Sequence, residues 1–579
     1  MSPADASSRH VHPKQPALGK PSAAISVLSL AKQIAGPALL ILIVFAVYSP
    51  SLTFDFILDD HRFTADPRIQ ESGHIYEYFS NYVWAQFSGG PPSFYRPVFV
   101  LWMRLSFVLS ELSPWGWHFL SILKHLLVGI ALWLLIDKLL RDRVAAFAGA
   151  ALFLLHPSNT ESVSWVTVPD PLVTLGLFLS LLFYWKSVEG SSAEAVAPKS
   201  KPRKASKPAT RNLSGIWLAA SLSAYFAALL VKETAIVFPL VILVVALSAP
   251  DTQLTNERPS RKEQAEPPRK AFFHIALFGG VILLYLLLRW NALGGNLAAA
   301  TQHLPLSTVV LSWPTTLWFY VKAILWPIKS YSFADPDLVS SFTGRGVLLP
   351  LLGLLCCTGV LVAFIAWAWK TAQLRLESEA GRVKFGLLSG MLLLILPLLL
   401  TLNLNALNPG DFLHGRYVYL SLAGGSVLVA SAVHLAQKLR PLLLATAGVV
   451  AITFVAFTWS QQKQWKDDTS VFTVAHQLAP HNRPVAQHLA DTRVKAALVI
   501  ADEGRCAEAM PVFDEVNREF PDDWYSWAGR GICFVHANDL VRAEEALHRA
   551  ADLSHDPTVV QQWQALRAHM GLSISVPAN

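Results

Sequence analysis

The sequence is poor in charged residues and lacks the motifs of nucleotide-driven and soluble hydrolytic enzymes. Charged residues make up 15% of its 579 residues, against about 25% in soluble domains. It contains no phosphate-binding loop of the type G-x-x-x-x-G-K-[ST], no G-x-G-x-x-G fingerprint, no G-x-S-x-G elbow and no H-E-x-x-H pair. These absences argue against a nucleotide-driven pump and a soluble-type hydrolase. The low charge predicts that much of the chain faces lipid.

Cysteine is also scarce, with four residues and no spacing typical of a metal site. Cys356 and Cys357 lie in an apolar segment, where we expect them to pack. Cys506 and Cys533 lie in the polar C-terminal part and could meet in a disulfide, which the sequence leaves open.

Long apolar runs are abundant, among them Ala38–Tyr48, Leu172–Tyr184 and Leu387–Leu400. A helix of about 20 residues crosses a hydrocarbon core of about 30 Å, and only helices and closed barrels satisfy their backbone there. Because the runs are continuous rather than alternating, we predict an all-α fold, a polytopic membrane helix bundle of about eleven spans. The predicted spans are 33–52, 117–138, 144–160, 170–187, 214–231, 234–249, 272–290, 345–369, 384–403, 415–436 and 440–459.

Basic residues cluster in short loops between these runs, as in cytoplasmic loops, and form no pattern typical of nucleic-acid binding. The loops predicted to be cytoplasmic are 137–143, 186–211, 258–270, 370–384 and 438–440. Placing them inside makes 96–112 an amphipathic helix on the outer surface and 306–328 an external or re-entrant helix. Residues 1–32 are polar and are predicted to form a disordered cytoplasmic tail rather than a cleaved signal. An odd number of spans then puts the C-terminal part outside the cytoplasm.

Beyond Trp465, small and apolar residues recur at an offset of 34 residues. The recurring pairs are Ala509 and Ala543, Phe513 and Leu547, and Ala497 and Gly531. This period is the tetratricopeptide signature, in which small residues let paired helices approach. We predict a multi-span membrane domain over 33–460 and a short tetratricopeptide α-solenoid over 461–579, with an ordinary helical bundle as the alternative. Such repeats usually bind peptides or proteins.

Ionisable residues collect on the face predicted to be external, beginning with the carboxylates Asp59 and Asp60 after the first span. The candidates for substrate binding are Arg62, Arg96, His125, His156, Glu161, Asp170, Lys232, Glu233 and Arg416. Charged groups at membrane depth are costly and usually functional, and converging acids and cations suit an active site at the membrane boundary. A solvated loop end that caps a helix is the structural alternative for Asp59 and Asp60. Helix capping alone is the alternative for Glu161. A self-neutralising turn is the alternative for Lys232 with Glu233.

The order and spacing of these motifs over roughly residues 40–570 resembles the family of transmembrane and tetratricopeptide repeat-containing proteins and its bacterial relatives. The motifs that carry the resemblance are Asp59-Asp60-His61-Arg62-Phe63 with Asp66-Pro67, Tyr95-Arg96-Pro97, the helix with His118 and His125, His156-Pro157 to Glu161, Lys232-Glu233 and Arg416-Tyr417. The chain departs from the family pattern at Asp66 and Ser121, where the family has Asn, at Gly415, where it has an acid, and at Val168, where it has Arg. The family is similar to the protein O-mannosyltransferases and lies in the GT-C superfamily, whose members use sugars carried on polyprenyl phosphates.

This resemblance implies a GT-C-like membrane glycosyltransferase that moves a sugar, with mannose as the candidate, from a polyprenyl-phosphate carrier to a hydroxyl of a protein or glycan acceptor. Asp59 is then the expected base, with Asp60 orienting it or holding an acceptor or a metal. Arg96, Lys232 and Arg416 are the expected phosphate contacts. No cofactor is certain, and a divalent metal ion is the candidate.

The implied location is a bacterial inner membrane or, as the alternative, the endoplasmic reticulum membrane, with the C-terminal domain periplasmic or lumenal. Two other functions stay open. One is a non-catalytic scaffold that recruits partners through its repeats, and the other is a lipid-linked sugar flippase or transporter.

Overall fold

The computed structural model describes residues 27–87, 94–196, 213–248, 267–295, 303–329, 338–375, 380–407, 413–554 and 557–572. Within these ranges the chain is helical and has no β-strand, so the predicted all-α fold is confirmed. Three predicted features lie outside the described residues: the tail up to residue 26, the basic loop with Lys199–Lys207, and residues 258–266.

The first part of the chain holds seventeen α-helices among the described residues. In chain order they are α1 (Val27–Tyr48), α2 (Asp59–Ala65), α3 (Pro67–Gln70), α4 (Ile75–Ser80), α5 (Pro97–Ser110), α6 (Pro114–Leu140), α7 (Arg143–Leu155), α8 (Thr160–Ser164), α9 (Asp170–Val196), α10 (Leu213–Val231), α11 (Pro239–Ser248), α12 (Pro267–Ala292), α13 (Leu306–Leu325), α14 (Leu349–Arg375), α15 (Ala380–Leu400), α16 (Tyr419–Leu435) and α17 (Arg440–Gln462). Short 3-10 helices cover Ser49–Thr53, Pro157–Asn159, Glu233–Val237, Leu404–Ala406, Gly415–Val418 and Lys463–Trp465.

Ten helices in the described part of the chain are long and apolar enough to cross a membrane, so this is a multi-pass membrane protein. They cover Ala35–Thr53, Pro114–Leu140, Asp170–Val188, Ser214–Val231, Ala271–Ala292, Leu306–Leu325, Gly344–Leu374, Ala380–Leu400, Gly415–Leu435 and Arg440–Trp465.

The ten differ in three places from the predicted spans. α7 has 13 residues and ends at Leu155, because the chain turns extended at His156 before Pro157. α11 is described over 10 residues, and α13, predicted to be external or re-entrant, has 20 residues and enough apolar character to span. α5 has 14 residues, about 21 Å at 1.5 Å per residue, which is too short to cross a core of about 30 Å.

The centre of the bundle is built around α6 and α16. α6 packs against α7 and α9, and α16 packs against α7 and α15. The α15–α16 contact is backbone to backbone: a Cβ on Gly424 would lie 2.5 Å from the carbonyl oxygen of Gly390. This close packing fixes the helix ends, and with them the polar segments that follow α1, α7 and α10 and precede α9 and α16.

The C-terminal tail consists of six further helices, each packed against the next. They are α18 (Asp468–Leu478), α19 (Arg483–Asp502), α20 (Cys506–Glu519), α21 (Trp524–His536), α22 (Leu540–Ser554) and α23 (Pro557–His569). Capping side chains begin four of them: Asp467, Asn482, Asp523 and Asp539 each accept a backbone N–H from the first turn.

The 34-residue offset corresponds to equivalent packing positions in these helices. Ala509 and Ala543 are both fully buried, in successive apolar cores between the helices. A Cβ on Gly531 would lie 2.6 Å from the Leu547 side chain, so the close approach of α21 and α22 requires a small residue.

The structure also joins two of the cysteines. Cys506 at the start of α20 and Cys533 in α21 form a disulfide, with their Cα atoms 5.3 Å apart. This answers the question that the sequence left open.

Candidate active site

The backbone is strained at Leu58, which lies between α1 and α2 and directly precedes Asp59. Leu58, the residue before Asp59, has φ +52° and ψ −122°, which a residue with a side chain rarely adopts. Such strain costs about 1–3 kcal/mol and persists only where the surroundings hold it. Two carboxylates hold the backbone of this segment in place. Asp60 Oδ2 accepts the Ile57 amide at 3.1 Å, and Asp468 Oδ1 accepts the Leu58 amide at 2.8 Å.

Asp60 faces the protein interior rather than a cavity. Its side chain is fully buried, and its Oδ1 accepts the Thr167 hydroxyl at 2.6 Å and the Thr167 amide at 3.2 Å. Burial raises the pKa of Asp60 to about 7, although the hydrogen bonds from Thr167 and Ile57 oppose the shift. Asp60 therefore ties α2 to the segment before α9 and fixes the orientation of its neighbour Asp59.

A cavity of about 570 Å³ opens where the ends of α2, α5, α9, α10, α12, α15 and α16 meet. Seven of the eleven predicted site residues line it: Asp59, Arg62, Arg96, Asp170, Lys232, Glu233 and Arg416. The clustering of these residues, which are far apart in sequence, is what an active site at the membrane boundary requires.

Two ion pairs cross the cavity wall. Arg96 donates two hydrogen bonds, of 2.7 and 3.1 Å, to the Glu233 carboxylate. Lys232 Nζ lies 2.7 Å from both carboxylate oxygens of Asp170. Lys232 and Glu233 thus each pair with a distant residue, not with each other. Burial lowers the pKa of the Lys232 ammonium, with Asp170 opposing the shift.

Arg416 is held at the cavity edge by a carboxylate behind it. Glu161, 2% exposed, accepts the Arg416 guanidinium at 2.9 Å and its backbone amide at 3.1 Å. Glu161 also lies 2.8 Å from His414 Nδ1, and the Arg416 guanidinium lies over the Trp165 ring at 4.6 Å. Glu161 therefore acts on the cavity through Arg416 rather than lining it.

The cavity has an excess of positive charge. Five basic side chains line it among the described residues, against three acidic ones. Arg62, which stands over the Trp84 ring at 5.7 Å, and Arg289 add to the three cations already described. When Glu161 behind Arg416 is counted as well, a surplus of about one positive charge remains, which favours an anion such as a phosphate.

Besides Asp60 and Glu161, two further predicted residues do not line the cavity. His125 contacts the Tyr419 hydroxyl at 2.7 Å and the Leu154 carbonyl at 3.0 Å, so it links three helices of the bundle. His156 contacts the Ile324 carbonyl at 3.0 Å, and burial lowers its pKa to about 4. Both side chains hold helices together in this structure.

The described residues contain no group of three or more His, Cys, Asp and Glu side chains arranged to hold a metal ion. Asp170 and Glu233 are engaged by Lys232 and Arg96. In the part of the chain that the structure describes, the donor set therefore does not fit a divalent cation, and the positive charge comes from side chains.

Sequence reasoning missed several residues of this site. Thr167, Trp165 and Tyr285 line the cavity, and Asp468 reaches the Asp59 loop from the tail. The first three are uncharged and gave no signal. Asp468 lies 410 positions from its partner Leu58, and no local pattern reports such a contact.

A helix bundle with a charged cavity at its span ends, followed by a tail of packed helices, defines a class of multi-pass membrane protein. No protein-family model matches the chain. It is 24% identical over 511 residues to the protein O-mannosyl-transferase TMTC1 of Homo sapiens, covering 82% of this chain and 54% of that protein. It is 33% identical over 157 residues to TMTC3 of Mus musculus, covering 26% of this chain and 16% of that protein. The resemblance to the transmembrane and tetratricopeptide repeat-containing proteins is thereby confirmed, and the chain spans about half or less of these relatives.

Among solved structures, the apo oligosaccharyltransferase of Archaeoglobus fulgidus matches 80% of this chain and 60% of its own, with 12% identity and a TM-score of 0.35. A score of this size is too low to establish a common fold.

Proposed function

We propose that the protein is a GT-C-type glycosyltransferase that moves a sugar from a polyprenyl-phosphate carrier to a hydroxyl acceptor, with mannose as the candidate sugar and a protein as the candidate acceptor. Asp59 takes the hydroxyl proton while the acceptor oxygen bonds to the anomeric carbon. The bond from that carbon to the phosphate oxygen breaks, and the carrier leaves as a phosphate monoester. Asp59, placed at the wall of a cationic cavity, is the observation that carries the proposal.

The charge of the cavity suits this reaction. The phosphodiester of the donor carries one negative charge, and the leaving monoester approaches two. Arg96, Lys232 and Arg416 are proposed to stabilise the charge that develops as the bond breaks. No strong general acid is needed, because the phosphate is a stable anion as it leaves.

The same cavity also has apolar lining residues that suit a lipid chain. They include Leu286 of α12, Leu400 of α15 and Leu407. A carrier seated here would place its phosphate among the cations and its polyprenyl chain between α12 and α15.

We further propose that the tail lies outside the cytoplasm. If α7 and α11 cross the membrane and α13 does not, the ten long helices become eleven crossings, and the termini lie on opposite sides. The disulfide between Cys506 and Cys533 supports this side, because disulfides persist in oxidising compartments. Reporter fusions after residues 205 and 470 test the assignment, and finding both in one compartment would contradict it.

The function is tested by turnover. Purified protein in lipid nanodiscs is incubated with a panel of polyprenyl-phosphate sugars and candidate acceptors, and released lipid phosphate is measured. Asp59→Asn should lower the rate of release by about 10²–10⁴-fold. Asp55→Asn removes an exposed carboxylate four positions earlier and is the matched control that should retain it.

Release by the Asp59→Asn protein at the wild-type rate would reject Asp59 as the base. If the panel yields no release but a labelled donor crosses the bilayer, the flippase alternative is favoured. If neither occurs and the tail binds a partner, the scaffold alternative is favoured.

A further inference from the structure

We propose that the repeat domain is part of the active-site machinery, and that Asp468 is a positioning residue that holds the Asp59 loop in its working conformation. The part of this inference that concerns catalysis depends on the function proposed above for Asp59. The part that concerns the loop conformation does not.

The contacts bracket Asp59 on both sides. Asp468 Oδ1 accepts the Leu58 amide at 2.8 Å, and Asp468 Oδ2 lies 2.9 Å from His61 Nε2. One carboxylate at the start of α18 thus binds the residue before Asp59 and a residue two after it. The His61 side chain is 53% exposed, so its ion pair is screened by water and the Leu58 hydrogen bond is the stronger restraint.

An apolar core keeps α18 in place for this contact. Trp465, fully buried, stacks on Trp165 with ring centroids 6.1 Å apart, and packs with Phe54 and Ile57 of the Asp59 loop. The backbone adds a further link, since the Asp55 amide donates to the Lys466 carbonyl at 2.9 Å. Packing therefore holds the tail against the loop. This contact places the Asp468 carboxylate next to the Leu58 amide.

Loss of the contact between Asp468 and the Leu58 amide matters because the Leu58 backbone is strained. A leucine with φ +52° relaxes toward negative φ when its amide loses its acceptor. That relaxation turns the peptide leading into Asp59 and moves its carboxylate within the cavity. A misplacement of about 1 Å is enough to lower a rate substantially.

The conformational part is tested by hydrogen–deuterium exchange of the full chain in nanodiscs. In Asp468→Ala the amides of residues 55–62 should exchange about tenfold to a hundredfold faster, as expected for loss of a hydrogen bond to a charged acceptor. Asp552→Ala, which removes a half-exposed tail carboxylate in α22, is the matched control and should leave this segment unchanged. Unchanged exchange in Asp468→Ala would overturn the proposal.

A tail that loosens as a whole in Asp468→Ala would confuse local with global effects, so the exchange of residues 483–572 is read in the same sample. An increase at residues 55–62 that exceeds the increase in the tail supports the proposal, and an equal or smaller increase rejects it.

The catalytic part is tested by a double-mutant cycle. Asp468→Ala should lower kcat about tenfold with little change in KM for the donor, and Asp468→Asn, which retains an acceptor oxygen, should recover part of the loss. If Asp468 acts through Asp59, the double variant is no slower than Asp59→Asn alone. Additive losses would show an independent role and reject it. Wild-type protein without turnover would reject the proposed function, while the exchange result would still stand.

Discussion

Asparagine substitutions at the neighbouring residues Asp59 and Asp60 should have different effects. The first should mainly lower the rate of sugar transfer, and the second should mainly lower the stability of the protein. Asp59 is half-buried at the cavity wall, so Asp59→Asn should change the free energy of unfolding by less than about 0.5 kcal/mol. Its rate should fall by about 10²–10⁴-fold, the usual contribution of a general base. An asparagine keeps the shape of the side chain and cannot accept the proton.

Asp60→Asn should show the opposite pattern. Three donors face the Asp60 carboxylate, the Thr167 hydroxyl and amide and the Ile57 amide. An asparagine offers one oxygen and turns an N–H₂ group toward at least one of these donors. Leaving a buried donor unsatisfied costs about 1–3 kcal/mol, so Asp60→Asn should lower the unfolding midpoint and reduce turnover less than Asp59→Asn does.

The assay is a thermal unfolding curve and a turnover measurement on the same nanodisc preparation of each variant. Burial raises the pKa of Asp60 to about 7, so the folded state binds more protons than the unfolded state between about pH 4 and 7. The stability of the wild type should therefore fall as the pH rises through this window, and Asp60→Asn should lose the part of this slope that Asp60 contributes. If Asp60→Asn is stable and inactive while Asp59→Asn turns over, the assigned roles are reversed.

Three further outcomes follow from the contacts. Arg416→Lys keeps the charge but loses the planar guanidinium that donates to Glu161 and lies over Trp165, so the KM for the donor should rise about tenfold in a donor titration; an unchanged KM would remove Arg416 from the donor site. The hydrogen bond to Asp468 raises the pKa of His61, so this ion pair is complete below the ordinary pKa of about 6.5 and is lost as the pH rises through the higher folded value. The melting difference between wild type and His61→Ala should therefore shrink from pH 6 to pH 9, and a constant difference would contradict this. A fragment of residues 482–572 should show strongly helical circular dichroism and a cooperative melt, and reduction of its disulfide should cost about 2–4 kcal/mol in urea denaturation; a random-coil spectrum would refute it.

The features that could be predicted from the sequence are those that depend on residue periodicity or on local composition. Continuous apolar runs predicted the helix bundle, and the 34-residue offset predicted which alanines are buried in the tail. The ionisable motifs predicted seven residues that line one cavity.

The remaining features depend on tertiary contacts. Whether Lys232 pairs with its neighbour Glu233 or with Asp170 is decided by how α9 and α10 pack, and no local pattern encodes that choice. Glu161 was predicted to bind substrate because it is charged and lies among the other ionisable motifs. In the structure it instead lies behind Arg416. α7 is shorter than expected because a hydropathy run does not show that the chain turns extended before Pro157.

The contact between Leu58 and Asp468 has a consequence for the biogenesis of the chain. The two residues are 410 positions apart, which at about 5–20 residues per second separates their synthesis by about 20–80 s. Throughout that interval the Leu58 amide lacks its acceptor, and the Trp165 ring lacks the stacking partner Trp465. The segment from Phe54 to Asp59 therefore reaches its final conformation only after α17 and α18 have been synthesised and α18 has packed next to it. Chains released before residue 468 would be inserted but incomplete at that loop, with an apolar surface around Phe54 and Ile57 that quality-control factors can recognise.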